Sequence, residues 1–234
     1  YIGNRAFYRH VLAIAVPIMV QNGITNFVNL LDNIMVGTTG TEPMSGVSIV
    51  NQFIFIFNLL IFGAIAAAGI FTAQYHGSGD VEGVRHTFRF KILICTAATL
   101  VCVVVFFFFA DPLISLFLHD GSETGDLAAT LMWGREYLIV MLIGLLPYAL
   151  AQVYASTMRE TGETVKPMIA SLLAVITNFV FNSLLIFGLF GLPALGVKGA
   201  AIATVISRFV ELLFLVLWGH THTARFPFLI GVYR

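Results

Sequence analysis

The chain has 234 residues, of which 59% are hydrophobic and only 10% charged, with a formal net charge of zero. A soluble globular chain carries roughly 25% charged residues, so a mean hydropathy of +0.93 excludes an ordinary water-soluble domain. No basic face is interleaved with aromatics, which excludes nucleic acid as a partner.

Apolar runs of about 18 residues or more are long enough to cross a hydrocarbon core as helices. Six occur in series, near 11–36, 45–74, 90–110, 131–157, 167–189 and 197–219. They predict an all-α integral membrane protein built as a six-transmembrane-helix bundle. The first run is interrupted by Pro17, Gln21, Asn22 and Asn26 and continues past residue 30 with no small-residue cleavage site. It therefore reads as a retained helix rather than a signal peptide. It also carries Asp32, within "FVNLLDNIMVG".

The second segment contains "FGAIAAAGIF", where Gly63, Ala67 and Gly69 predict close helix packing, as do Gly196, Gly199, Ala200 and Ala203 around the start of the sixth. The third holds both cysteines, Cys95 and Cys102, which lie about 10 Å apart along one helix and read as small core residues. Pro147 sits inside the fourth segment as Pro17 sits inside the first. Each removes a backbone hydrogen bond and predicts a kink. The fifth places Asn178 and Asn182 one turn apart on the same stripe, and the sixth carries Arg208 and Glu211 three apart, a spacing that predicts a local ion pair.

The breaks are punctuated by "TTGTEP", "HGSGDVEGVRH", "LHDGSETGD", "RETGETVKP" and "GLPALG". With both termini on one side, that side collects Arg5, Arg9, Arg85, Arg89, Lys91, Arg159, Lys166, Arg225 and Arg234, against Arg135 and Lys198 opposite. The positive-inside rule then predicts cytoplasmic termini for a multi-pass protein of the cell (plasma or inner) membrane. The six histidines are scattered over terminal and loop positions, and the "HTH" at 220–222 has no supporting carboxylate or thiol for a metal. A phosphate-binding loop, a dinucleotide fingerprint and a nucleophile elbow are all missing, so the chain does not read as an enzyme.

Asp32 and Glu211 are the acids well inside predicted helices. A charge at the bilayer centre costs at least about 2.5 kcal/mol. Arg208 offers relief to Glu211, whereas no Lys or Arg lies between Arg9 and Arg85 to pair locally with Asp32. Its candidate partners are the amides of Asn26, Asn29, Asn33, Asn178 and Asn182. Two carboxamides facing a carboxylate form a cluster of oxygens suited to a proton or a sodium ion. They equally suit a static hydrogen-bond cluster between helices, and spacing alone leaves both readings open.

Four stretches, "LAIAVPIMVQNGITNFVNLLDNIMVG", "AQYHGSGD", "MRETGETVKPMIASLLAVITNFVFNSLLIFG" and "GLPALGVKGAAIATVISR", resemble in order the signatures of the multidrug and toxic compound extrusion (MATE) transporters. The resemblance covers essentially the whole chain. It implies the N-terminal lobe, residues 1–234, of a twelve-helix protein made of two six-helix lobes. Such a protein exports cationic or amphipathic compounds in exchange for H+ or Na+, with no other cofactor. By the same resemblance, Asp32 and Asn178 match the lobe's cation site, Thr204 a threonine lining that cavity, and Pro17 the hinge of the first helix. Asn182 departs from the pattern, falling where some members carry a second aspartate. The implied partners are the small-molecule cargo, membrane lipid and the C-terminal lobe of the same protein, or a second copy if the chain is natively half-size. A flippase for lipids or lipid-linked precursors and a non-transporting membrane module are the alternatives. Scarce intramembrane Lys and Arg argue for cationic or neutral cargo.

Overall fold

The computed structural model describes residues 5–117, 126–191 and 193–232, so most of the "LHDGSETGD" break lies outside it. The chain is all helix among these residues: α1 (Arg5–Gly37), α2 (Thr41–Gly77), α3 (Val81–Phe108), α4 (Ala110–Ser115), α5 (Leu127–Glu160), α6 (Val165–Phe187) and α7 (Gly196–Thr221), with short 3-10 turns at Leu189–Gly191 and Pro227–Leu229. The six long helices are those the apolar runs predict. Five of them, α2, α3, α5, α6 and α7, are each long and apolar enough to cross a membrane.

The boundaries differ most at α3, which starts nine residues before the expected 90. "VEGVRHTFR" reads as a charged loop, yet Asp80 caps the helix by accepting the Gly83 N–H at 2.9 Å. The capped turn carries Glu82, Arg85 and His86 on a polar, water-facing start. At its other end α3 breaks at Phe109 and resumes as the six-residue α4, where one continuous segment to 110 was expected. Asp126 caps α5 in the same way, through the Ala128 N–H at 2.9 Å. Gly188, at φ 67, lets α6 end in a left-handed turn.

Helix α5 is the centre of the bundle, packed against α2, α3 and α7, while α6 lies along α7 and α1 rests mainly on α6. The tightest approach joins α2 to α5 through Gly46 and Gly134. A methyl added at Gly46 would come within 2.7 Å of both the Gly134 nitrogen and the Thr130 carbonyl. Of the small residues singled out above, Gly199 does seat α7 against the Leu185 carbonyl of α6, and Ala200 and Ala203 are buried. Gly63, however, has no neighbour there and Ala67 is exposed. A stripe of small residues on one helix does not reveal which side of it faces a partner.

The basic ends of the helices meet at one end of the bundle. Arg85 Nε donates to the Phe228 carbonyl at 3.2 Å, Arg89 donates to the carbonyls of Gly231 (2.7 Å) and Val232 (2.9 Å), and Arg225 pairs with Glu163 at 2.6 Å. Phe228 stacks edge-on against Phe88, fixing the segment after α7 across α3. Just inside this end Lys91 is fully buried, paired with Glu160 at 2.5 Å and donating to Thr157 at 3.3 Å. Cys95 and Cys102 are free thiols, as their spacing requires.

Candidate functional site

Asp32 projects from α1 five residues before its end, on the side of the bundle opposite the basic cluster. It is half-buried, and the groups that meet it come from α6. Asn182 Nδ2 donates to Asp32 Oδ1 at 2.5 Å. The Asn178 amide, with its nitrogen turned to the carboxylate, donates to Oδ1 at 2.9 Å and Oδ2 at 3.0 Å while its oxygen accepts from Thr204 Oγ1 at 3.1 Å. The four-residue step between Asn178 and Asn182 puts both amides on one face of α6, and α7 brings Thr204 beside them.

Asp32, Asn178, Asn182 and Thr204 are thus gathered into one cluster. Pro17 is not part of it. It lies on the same helix about four turns away, roughly 22 Å at 1.5 Å per residue, and α1 runs through it without a break. Pro147 likewise lies within an unbroken α5. Asn26 and Asn33 are exposed and make no hydrogen bond to Asp32, and the side chain of Asn29 lies outside the described residues.

Two cavities meet at the cluster. One, of about 320 Å³, reaches from Asp32 past Asn51 and Tyr137. The other, of about 530 Å³, runs along α1 past Gln21, Tyr148 and Glu211 to Arg159. Asp32, Asn58, Thr204 and Arg208 border both. Two buried oxygens among these walls, Asn182 Oδ1 and Asn58 Oδ1, have no hydrogen-bond partner. An open carbonyl oxygen next to a carboxylate is the ligand chemistry of a hard cation.

The second acid, Glu211, does not form the expected ion pair with Arg208, since no such contact occurs among the described residues. Glu211 Oε1 instead accepts from Ser171 at 2.7 Å, and Ser171 accepts from Gln21 Nε2 at 2.6 Å, a chain that ties α7 through α6 to α1. The Arg208 guanidinium lies over the Tyr148 ring, 5.1 Å from its centroid. The two residues share a helix face, but each finds a longer-range partner, which spacing along one helix cannot anticipate. Arg159, counted above among the loop cations, borders the larger cavity as well. The cavity wall therefore holds two guanidiniums beside two carboxylates, which corrects the expectation that cations are scarce there.

The MatE family model matches residues 17–184. A "Probable multidrug resistance protein NorM" of Thermotoga maritima is 29% identical over 202 residues, covering 86% of this chain and 42% of that protein. The protein of the same name from Agrobacterium fabrum is 25% identical over 237 residues, covering 99% of the chain and 49% of its own length. A solved structure, "Crystal structure of MATE in the bent conformation", superposes with a TM-score of 0.78 at 22% identity, covering 90% of this chain and 45% of that one. The chain thus spans about half the length of the relatives it matches, the extent of a single lobe. On the matched span and the shared helical architecture, it belongs to the MatE (multidrug and toxic compound extrusion) family of membrane transporters.

Proposed function

We propose that the chain is the N-terminal lobe of a cation-coupled efflux antiporter, oriented with its basic end in the cytoplasm, in which Asp32 takes up the coupling H+ or Na+ as cationic or amphipathic compounds are exported. One observation carries this reading: the carboxylate sits where two cavities meet, gripped by two amides of another helix. A single carboxylate among neutral oxygens suits a singly charged cation, with Asn182 Oδ1 and the Thr204 hydroxyl as further ligands for Na+. The asparagine at 182 makes Asp32 the cluster's sole acid, so the site holds one charge rather than a two-carboxylate relay.

An ionised Asp32 accepts N–H bonds from Asn178 and Asn182. A proton or Na+ on the carboxylate competes with those N–H groups for its lone pairs, so cation uptake changes how α1 is held by α6. Pro17, which weakens the backbone ladder of α1, is where the helix bends in response. Such a change drives export only if cargo and cation prefer different states.

The test is Asp32→Asn in the full-length protein, reconstituted in liposomes with pH and sodium gradients imposed separately. Coupled efflux is expected to fall at least tenfold while the protein still assembles. Undiminished coupling under both gradients would reject the role.

A further inference from the structure

The larger cavity contains a cation that the coupling scheme does not use. Arg208 is 9% exposed and borders both cavities, and among the described residues no hydrogen bond or ion pair engages its guanidinium, whose Nη1 lies covered against α5. Leaving a guanidinium N–H unmatched at membrane depth is costly, and a well-packed protein does so where something else completes the bond.

The surroundings are shaped for this side chain. A methyl at Gly144 on α5 would come within 3.1 Å of Arg208 Cδ and 3.3 Å of Nη1, so the glycine leaves the channel through which the arginine crosses from α7 to the cavity. Tyr148, one turn on from Gly144, supplies the ring face that holds the guanidinium plane. The nearby acid is already engaged, since Glu211 accepts from Ser171. Asp32 on α1, which borders the same cavities, is held by its two amides.

We propose that Arg208 is the receptor for a carboxylate on the transported compound, so that the cargo includes amphiphiles bearing one anionic group beside an aromatic or aliphatic body. Asp32 and Glu211 offset Arg159 and Arg208 in the cavity wall, so a pyrophosphate carrying two or more charges would be repelled by two carboxylates there, and a single carboxylate meets the least repulsion. A planar carboxylate is also the partner to which a guanidinium fork is matched. The assignment rests on the efflux reading for the direction of movement, but binding to Arg208 requires no coupling and is tested separately.

Rhodamine 110, a free carboxylic acid, and rhodamine 123, its methyl ester, differ only at the group in question. Their affinities for the full-length protein in nanodiscs are measured by fluorescence polarisation. Arg208→Gln is expected to weaken rhodamine 110 by about 30-fold or more, the range for removing one partner of a desolvated charge pair, and to leave rhodamine 123 within about threefold. Retained ester binding shows that the variant is folded. Should Arg208→Gln fail to assemble, Arg208→Lys, which keeps the charge but not the planar fork, is expected to weaken the acid severalfold more than the ester. Equal effects on both probes, no effect on either, or no binding of rhodamine 110 by the unaltered protein would overturn the proposal. Loss of coupling in Asp32→Asn with the probe difference intact would leave it standing.

Discussion

Helix α1 and the α2–α3–α5–α7 core are attached to the bundle in opposite ways. The core helices meet through backbone contacts at Gly46 and Gly134, buried aromatic rings and the Lys91–Glu160 pair. Helix α1 leaves large apolar side chains such as Met19, Phe27 and Leu30 exposed, and is tied down by polar clasps at its two halves, Asp32 to the α6 amides and Gln21 to Ser171. Close packing is bistable at best and resists sliding. Hydrogen bonds between side chains exchange partners with little loss, so a helix held by them can shift while its platform stays fixed. Asp32, the proposed coupling acid, sits on the helix that is held this way.

Several substitutions break or sharpen this contrast. The largest effect is expected at Lys91→Met, which leaves Glu160 without its partner in a mostly buried position. Breaking a buried pair from one side costs about 3–5 kcal/mol, read as a large drop in the thermal unfolding midpoint in detergent. The double variant Lys91→Met, Glu160→Gln recovers much of that loss, as removal of both charges should. Next comes Gly46→Ala, whose methyl would press on α5 backbone atoms that cannot give way like a side chain. A loss of about 1–3 kcal/mol is expected, with hydrogen exchange rising in α2 and α5 together. The smallest is Gln21→Ala, which opens the lower clasp of α1 for about 1 kcal/mol. Exchange should then quicken in α1 while the core stays unchanged. If Gln21→Ala loosened the core as much as Gly46→Ala, the division between platform and mobile helix would be wrong.

How much of this was legible in the sequence follows from the range of each interaction. Six apolar runs and their period gave the six long helices, because the bilayer sets a length that composition alone can meet. The Asn178 and Asn182 stripe was readable because four residues make one turn, the want of a nearby cation made both amides candidate partners of Asp32, and the family resemblance added Thr204. Residues whose role depends on a distant neighbour were not readable. Gly46, Gly134 and Gly144 look like Gly63 until the helices are assembled, and Ser171 gives no local sign that it bridges Gln21 and Glu211. Arg208 was misassigned for the same reason, since a nearby acid on its own helix looked like sufficient company. The early start of α3 was hidden by charge, although Asp80 two residues before Glu82 was an available capping signal.

The segment after α7 has a mechanical side. Its backbone carbonyls at Phe228, Gly231 and Val232 are held by Arg85 and Arg89, so residues 227–232 are stapled to α3 although they follow α7 in the chain. A pull applied at Val232 is therefore shared between α3, through the two arginines, and α7, where Leu229 lies against Gly219. The staple acts as a strain relief. It lets α3 take part of a tug that would otherwise fall entirely on the helix that carries Thr204 and Arg208.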